Sequence, residues 1–255
     1  MNIRILGCSG GVGVGLRTTS MLIDNDILVD AGSGVGDLTL GEMEQIRHIF
    51  LTHSHMDHFA FLPLLVDSIF ESIKTPILVH AQPDTIKALE THIFNWTIWP
   101  NFAELPTKEN PVMTFVPMTP GQVLDVDGRS IEMLRVNHIV PGVGYLISGK
   151  SGHNIAFSGD TSTQDHFWEE LNKRAKLDFL IVEAAFSNEE LELSQKAGHY
   201  APVTLAADIK KLKHDPTIYI SHTKPGQEAL IVKQCQDLMP ERNIHRLMGG
   251  EVFTL

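Results

Sequence analysis

The sequence predicts a mixed α/β (α+β) fold in which two β-sheets pack together and helices cover their outer faces. Both halves of the chain begin with short apolar strands and continue into mixed helices and strands. Turn signals between consecutive apolar runs indicate hairpins in the second half. No low-complexity segment, clear internal repeat or long linker divides the 255 residues, so we predict one domain, residues 1–255.

In the first half, apolar runs predict strands at residues 3–6, 20–23, 27–30, 46–52 and 76–80, and helical spacing predicts helices at residues 59–73 and 84–98. A glycine-rich loop, residues 7–15, follows the first strand. The chain after Gly15 turns into another strand and not into a helix, so the loop does not fit a dinucleotide-binding fingerprint. We therefore predict no nucleotide cofactor.

In the second half, strands are predicted at residues 123–126, 130–136, 144–148, 154–158, 179–183 and 217–221, and helices at residues 167–176 and 202–212. Asp127 and Gly128 form a hairpin signal between the first two strands. Residues 149–152 include two glycines and predict a second hairpin between the strands at residues 144–148 and 154–158.

Composition narrows the class of protein. The chain has 20 Lys and Arg against 31 Asp and Glu, a net charge of −11, and a basic surface for a long nucleic acid is therefore not expected. No apolar run reaches the roughly 18 to 20 residues that span a bilayer, and residues 1–7 fit a first strand better than a signal peptide. The two cysteines, Cys8 and Cys235, are too few for a disulfide framework. We expect a cytoplasmic protein with two inert buried thiols, no membrane segment and no nucleic-acid partner.

The strongest chemical signal is a six-residue segment that contains His53, His55, Asp57 and His58. Alternate residues of an extended chain point the same way, so His53 and His55 can share one metal ion. Asp57 and His58 then turn with the chain into the following helix and can hold a second ion. The alternative, a solvated polar loop, explains four ligand-type side chains in six residues poorly.

Three more metal-competent side chains follow predicted strands at the places where loops enter a common cleft. They are His138, Asp160 and His222. Each of them alone would be an ordinary loop histidine or turn aspartate. Their shared position at strand ends favours a metal site built from distant parts of the chain.

The order of these seven residues resembles the metallo-β-lactamase superfamily over essentially the whole chain. The resemblance implies a four-layer αβ/βα sandwich with two divalent metal ions at one edge of the sheets. It assigns His53, His55 and His138 to one ion and Asp57, His58 and His222 to the other, with Asp160 bridging them. Zinc is the expected metal, and manganese and iron suit the same ligands.

Shorter segments resemble the phosphodiesterase side of that superfamily. Residues 7–11 (GCSGG), 182–186 (VEAAF) and 198–202 (GHYAP) are similar to segments of ribonuclease Z and of class II cyclic-nucleotide phosphodiesterases. Residues 92–102 and 221–226 are closer to the phosphodiesterases. The resemblance implies hydrolysis of a small phosphodiester such as cyclic AMP or cyclic GMP, and a homodimer.

For the reaction, we expect a hydroxide held between the two ions to attack phosphorus. His199 is the candidate general acid, Glu183 orients it, and Asp57 is assigned to catalysis as well as to metal binding. His199 has an alternative role in supporting a ligand or capping a helix. Lys224 is a candidate phosphate contact or a solvated surface lysine. Trp96 and Trp99 are candidates for stacking on a base, the alternative for them being packing in the core or a dimer interface.

Three other functions stay open. A ribonuclease Z-like endonuclease that trims tRNA precursors is second, since no Gly-rich basic arm is found in the sequence. A diiron redox or metal sensor protein is a third, although His55 occupies a position that is acidic in flavodiiron-type relatives. Hydrolysis of a thioester or β-lactam lacks support from the segments around Glu183 and His199.

Overall fold

The computed structural model describes residues 1–254. Its strands, in chain order, are β1 (Asn2–Gly7), β2 (Ser20–Ile23), β3 (Ile27–Val29), β4 (His48–Phe50), β5 (Ile77–Ala81), β6 (Pro106–Thr107), β7 (Asn110–Pro111), β8 (Met113–Pro117), β9 (Val123–Val126), β10 (Arg129–Arg135), β11 (Val143–Ser148), β12 (Asn154–Phe157), β13 (Phe179–Glu183), β14 (Thr217–Ser221), β15 (Ile244–Arg246) and β16 (Val252–Thr254). The α-helices are α1 (Leu40–Met43), α2 (Met56–Phe59), α3 (Leu62–Ser68), α4 (Pro83–His92), α5 (His166–Asn172), α6 (Leu191–Ala197), α7 (Pro202–Ile209) and α8 (Glu228–Leu238). Short 3-10 turns lie at Ser33–Asp37, Phe70–Ser72 and Asn188–Glu190.

The strands form two large sheets with the same internal plan. The first has the order β16-β1-β2-β3-β4-β5-β8, and the second has the order β15-β14-β13-β12-β11-β10-β9. In each sheet one side is antiparallel and the other is parallel, the change falling at β3 and at β12. The remaining two strands, β6 and β7, pair only with each other.

Three apolar clusters arrange these sheets and helices in four layers. Between the sheets, residues such as Ile5 and Phe50 of the first pack with Ile131 and Tyr145 of the second. A second cluster lies between the first sheet and helices α3 and α4, and a third lies between the second sheet and helices α5, α7 and α8. The helices therefore cover the outer faces, and the predicted four-layer αβ/βα sandwich is confirmed.

Strand direction places the functional segments at one edge. In the second sheet β10, β12, β13 and β14 run the same way, because β11 is antiparallel to both its neighbours and β12 to β14 are parallel. In the first sheet β1, β3 and β4 share one direction by the same pairing logic. Loops that leave the carboxyl ends of parallel strands commonly build the ligand site of an α/β protein. The hydroxyl of Tyr145 ties the two sheets together beside this edge by donating to the Leu51 carbonyl oxygen at 2.7 Å.

Both predicted hairpins are confirmed. Strands β9 and β10 pair through Asp127 and Gly128, which have φ angles of 54° and 81°, and β11 and β12 pair across the second turn. Two left-handed residues in a two-residue turn match the right-handed twist of the flanking strands.

Two long predicted helices are wrong in their extent. Residues 59–73 do not form one helix, because the chain breaks after Phe59, where the Phe61 N–H donates to the Ala31 carbonyl, before α3 begins. The helix predicted over residues 84–98 ends at His92. Beyond it, the Asn95 side chain accepts hydrogen bonds from the N–H groups of Thr97 and Ile98 and closes a turn. The helices predicted over residues 167–176 and 202–212 end four and three residues early, at Asn172 and Ile209.

Both cysteines are free, and burial raises the pKa of each thiol to about 12, as expected of unreactive cysteines. None of the helices in residues 1–254 has the length and apolar character needed to cross a membrane.

Candidate metal centre

The structure brings all seven predicted ligands together at the shared edge of the two sheets. They fall into two groups, His53, His55, His138 and Asp160 in one and Asp57, His58 and His222 in the other, and within each group the ligand atoms all lie within 4.8 Å of one another. The first sheet supplies four of them after β4. The second supplies the other three after β10, β12 and β14.

Asp160 lies between the two groups. Its Oδ2 is 3.6 Å from His53 Nε2 in the first group and 3.3 Å from His222 Nε2 in the second. Its Oδ1 is 3.3 Å from His58 Nε2. One carboxylate thus faces imidazole nitrogens from both groups, which is the position that a bridging ligand occupies.

The donor atoms fit two divalent cations. The Nε2 atoms of His53 and His58 are buried, and no atom of residues 1–254 is aligned to hydrogen-bond with them. His138 Nε2 lies 3.2 Å from His55 Nδ1, so two imidazole nitrogens converge on one point. Unpartnered buried nitrogens are costly unless a ligand satisfies them, and imidazole and carboxylate groups are suitable ligands for zinc, manganese and iron.

The protonation states also suit metal binding, since imidazole binds a metal in its neutral form. Burial lowers the pKa of His222 to about 3 and that of His138 to about 4, and it lowers the pKa values of His53 and His55 as well. Burial opposes ionisation of Asp160, but the surrounding histidines, led by His222, hold its pKa well below the usual range. Four of the five candidate histidines are therefore neutral beside an ionised carboxylate. The fifth is His58, where burial lowers the pKa but Asp160 and Asp30 raise it by more, so its net shift is well upward in the absence of a metal.

A fully buried carboxylate, Asp30, orients two of the ligands, and the sequence analysis did not identify it. His58 Nδ1–H donates to Asp30 Oδ2 at 2.6 Å, which leaves His58 Nε2 free for a metal. The Thr52 hydroxyl donates to the same carboxylate and lies 3.0 Å from His53 Nδ1, from which it can accept. Asp30 directly follows β3 and has a φ of 58°, a left-handed conformation that Asp tolerates better than most residues. Hydrogen bonds of this kind fix the tautomer and ring orientation of a metal-binding histidine.

His138 and His222 are held by backbone and hydroxyl groups. His138 Nδ1–H donates to the Gly198 carbonyl oxygen at 2.8 Å. His222 has a φ of 57°, and its N–H donates to the Cys8 carbonyl oxygen at 2.7 Å. A Cβ at Gly10 would collide with the His222 backbone carbonyl, so only glycine permits this approach. The glycine-rich loop at residues 7–15 therefore supports His222 through its backbone.

His199 and Glu183 form a buried pair next to the ligands. His199 Nδ1 lies 2.7 Å from Glu183 Oε1, and the His199 ring stacks on that of His222 with centroids 5.4 Å apart. Glu183 is completely buried and also accepts from the N–H groups of Thr161, Ala185 and Tyr200. Burial lowers the pKa of His199, but Glu183 and then Asp160 raise it by more, so its net shift is upward.

Ligand-type atoms of Asp160, His199 and His222 also lie within 4.8 Å of one another. His199 is thus near enough to the metal centre to act on a molecule bound there. The same distance also fits an alternative role in which His199 is itself a metal ligand.

A second buried carboxylate, Asp208 in α7, anchors the segment that carries His199. Its Oδ2 accepts from the Tyr200 hydroxyl at 2.6 Å and from the Gln164 N–H at 2.9 Å. Lys211 Nζ lies 2.8 Å from Oδ1 and balances the charge. Asp208 therefore joins the loop that follows Asp160 to the residue that follows His199, a link that no motif indicates.

The three candidate substrate contacts are placed differently. Lys224 donates to the Gly10 carbonyl oxygen at 3.0 Å and lies 5.4 Å from the centre of the Phe186 ring, so it is not a freely solvated lysine. Trp99 packs against the cluster on the helix side of the first sheet, and Trp96 is 59% exposed with a φ of 64°. Within residues 1–254, neither tryptophan makes a hydrogen bond or ring contact with a metal-centre residue through its side chain. Phe94 and Phe102, in the same aromatic segment, are core residues.

Comparison with known proteins identifies the family. The sequence matches the beta-lactamase superfamily domain over residues 25–223, a range that includes all seven candidate ligands. It is 27% identical to a probable 3',5'-cyclic-nucleotide phosphodiesterase of Yersinia pestis, with 87% of this chain and 77% of the relative aligned. It is 26% identical to a ribonuclease Z of Clostridium beijerinckii, with 84% and 70% aligned.

The structure of unliganded yeast PDE1 superposes with a TM-score of 0.83 at 19% identity, over 100% of this chain and 99% of that one. At 19% identity this match supports the fold alone. The match to the superfamily domain covers most of the sequence, and the fold agrees with it. The chain therefore belongs to the metallo-β-lactamase superfamily.

Proposed function

We propose that this chain, a hydrolase of the metallo-β-lactamase superfamily, uses two divalent metal ions to hydrolyse a small 3',5'-cyclic nucleotide. The observation that carries the proposal is the pair of ligand groups that share Asp160, with the His199–Glu183 pair beside them. A phosphodiester requires a nucleophile on one side of phosphorus and a proton for the departing oxygen on the other, and this arrangement offers a place for each.

One ion would be held by His53, His55 and His138, and the other by Asp57, His58 and His222. Asp160 would bind both ions. Bound there, two divalent ions supply a water of lowered pKa as nucleophile and neutralise charge on the phosphoryl oxygens. The protein's own contribution is to hold these ligands rigidly, through Asp30 beneath His58 and through the Gly198 carbonyl beneath His138. Rigid ligands keep the substrate's phosphorus in line for attack.

His199 would donate the proton to the leaving oxygen from Nε2. Its Nδ1–H is held by Glu183, so the ring keeps one orientation and the opposite nitrogen would be available to the substrate. The raised pKa of His199 favours the protonated form that a general acid requires. Asp57 is partly exposed, and its Oδ2 lies 3.6 Å from His222 Nε2. We propose that it acts on the substrate as well as on a metal.

The choice of a cyclic nucleotide is supported by likeness and charge. Two curated relatives at 27% and 28% identity carry the name 3',5'-cyclic-nucleotide phosphodiesterase, the second from Aliivibrio fischeri. The net charge of −11 disfavours a long polyanion, because such a partner gains its affinity from Lys and Arg. Lys224 Nζ donates one hydrogen bond to Gly10 and has two more hydrogens for a phosphate oxygen. Trp96, which is exposed within residues 92–102, is retained as a candidate for stacking on a base.

Ribonuclease Z-like cleavage of a tRNA precursor is the second candidate, because several relatives carry that name at 23% to 31% identity. The same seven ligands and the same His199–Glu183 pair would serve that reaction. The two candidates therefore differ in what surrounds the metal centre and not in its chemistry.

The test is metal analysis together with turnover of bis-p-nitrophenyl phosphate, cyclic AMP, cyclic GMP and a tRNA precursor. We expect two equivalents of metal per chain and turnover of a cyclic nucleotide. Cleavage of the tRNA precursor alone would favour the second candidate, and no turnover of any of these phosphodiesters would contradict both.

Two variants test the roles of named residues. Asp160→Ala is expected to lose metal and all turnover. His199→Ala is expected to keep both metals and to lose about 100-fold or more in kcat. His166→Ala is the matched control, because the His166 side chain is 66% exposed and belongs to none of the groups of candidate ligand atoms. Loss of metal from His199→Ala would make His199 a ligand and refute its role as the acid.

A further inference from the structure

A cavity of about 340 Å³ lies beside the loop that carries His222. Its walls come from the carboxyl ends of β1, β14 and β15 and from the turn at residues 247–250. None of the seven candidate ligands lines it, and neither does Glu183 or His199. The cavity is therefore separate from the metal centre, although it opens at the same edge of the sheets.

Two hydrogen-bond donors on its walls have no acceptor. Ser9 is only 6% exposed, and its buried Oγ has no hydrogen-bond partner in residues 1–254. The Arg246 guanidinium donates no hydrogen bond within the same residues, and its nearest carboxylate, Glu228, is 3.8 Å away. Buried polar groups are nearly always satisfied by protein, water or ligand, so the Ser9 hydroxyl indicates an acceptor beside it. Arg246 is 38% exposed on its side chain, and its N–H groups are available to an anion in the cavity.

The other charged residues on the walls are Arg17, Asp37 and Glu228. Glu228 receives no hydrogen bond from the described residues, whereas Asp37 is already engaged by Arg17, with N–O distances of 3.0 and 3.1 Å. Arg246 and Ser9 thus face the cavity as donors, and Glu228 faces it as an acceptor. A ligand that satisfies all three must have an anionic group and also hydroxyl or amino hydrogens.

We propose that this cavity binds a small phosphate monoester that carries hydroxyl groups, that is, a sugar phosphate or a nucleoside monophosphate. A phosphate monoester has three terminal oxygens, enough for the guanidinium and the Ser9 hydroxyl together. The sugar hydroxyls would donate to Glu228. The volume is at the lower end of the range of small-molecule sites, about 300 to 1,000 Å³, which suits a ligand of this size.

The position of the cavity connects it with the metal centre. Ser9 lies between Cys8, whose carbonyl accepts from the His222 N–H, and Gly10, whose N–H donates to the Thr223 carbonyl at 3.0 Å. Ser9 also forms β-bridges with Thr18 and Thr223. A ligand bonded to Ser9 would rest on the segment that positions His222.

The test is equilibrium dialysis of ribose 5-phosphate against the metal-loaded wild type and three variants, Arg246→Met, Ser9→Ala and Arg135→Met. Arg135 is the control, because it is also a strand arginine but is exposed, makes no side-chain hydrogen bond or ion pair in residues 1–254, and does not line this cavity. We expect Arg246→Met to weaken binding about tenfold or more, Ser9→Ala several-fold, and Arg135→Met not at all. Binding at the metal centre contributes equally to all four proteins and cancels in the comparison.

Wild-type affinity in both Arg246→Met and Ser9→Ala would overturn the proposal, and so would an equal loss in Arg135→Met. If Arg246→Met does not fold, Ser9→Ala decides alone. Inorganic phosphate is expected to bind several-fold more weakly than ribose 5-phosphate, and equal binding would overturn the role given to the hydroxyl groups. Adenosine 5'-monophosphate in place of ribose 5-phosphate distinguishes a nucleotide site from a sugar phosphate site. The assay needs no turnover, so its outcome is independent of the proposed function.

Discussion

Replacement of Glu183 by glutamine removes one charge and changes almost nothing in shape. In the structure four donors converge on this carboxylate. Oε1 accepts from Thr161 N at 2.9 Å and His199 Nδ1 at 2.7 Å, and Oε2 accepts from Ala185 N at 3.0 Å and Tyr200 N at 3.3 Å. A glutamine amide has one oxygen and one NH₂ group, so in either orientation two of the four donors face another donor.

The size of the effect follows from these contacts. A hydrogen bond to a charged group contributes about 1.5 to 3 kcal/mol, so the loss of two amounts to about 3 to 6 kcal/mol. Burial raises the pKa of Glu183, and a neutral glutamine avoids that burial penalty, which offsets part of the loss. We expect a net destabilisation of about 3 kcal/mol, which for a chain of this size lowers Tm by roughly 6 to 12 °C.

The same change is expected to lower kcat by about 100-fold or more. With the NH₂ group toward His199, the imidazole would have to switch tautomer, and with the oxygen toward it the charge that favours its protonated form is gone. The assays are thermal unfolding of the metal-loaded protein and turnover of bis-p-nitrophenyl phosphate. Glu241→Gln is the control, because Glu241 is exposed and makes no hydrogen bond or ion pair within residues 1–254. A Glu183→Gln protein with a Tm within about 2 °C of wild type and an unchanged kcat would refute this account of the pair.

Two further predictions concern Asp30 and Glu42. Asp30→Asn should keep the fold but weaken metal binding about 10- to 100-fold, because the amide can present its NH₂ to His58 Nδ1 and disturb the tautomer of that ring. Competition with a chromogenic chelator measures the metal affinity. Wild-type affinity in this variant would contradict the role of Asp30. Hydrogen bonds from Thr39 and Arg4 lower the pKa of Glu42 to about 2, so its stabilising contribution is complete above about pH 4.5 and is lost as the pH falls toward 2. Between pH 7 and pH 3, the Tm of wild type should therefore fall by more than that of Glu42→Gln, and equal falls would show that the pair contributes nothing.

The candidate metal centre was predictable because its residue types and their positions are both visible in the sequence. Four ligand-type residues fall in six positions, and His138, Asp160 and His222 each follow an apolar strand run. The directions of strands, which the pairing pattern fixes, bring those ends to one edge. Strand β13 shows the same logic, since its last residue is Glu183.

The supporting residues were not predictable in the same way. Asp30 ends a strand run and looks like any turn aspartate, and Asp208 lies within a helix with no neighbour in sequence that shares its role. What gives each its importance is a set of hydrogen bonds to residues far away in the chain, such as His58 or Gln164. Helix lengths failed for a related reason. After α4 ends at His92, the Asn95 side chain accepts hydrogen bonds from the N–H groups of Thr97 and Ile98, and these bonds compete with the helical pattern that its neighbours favour.

The pairing of the first and last strands bears on how the chain reaches its native state during synthesis. Ile3 of β1 lies opposite Phe253 of β16, so the N-terminal strand keeps one open edge until the last part of the sequence has left the ribosome. His222 is also made late, when the segment from His53 to His58 has long emerged. A nascent first half thus presents an unpaired strand and an incomplete set of ligands at the same time. We expect tight metal uptake to follow translation of β14 and not to begin with the histidine segment.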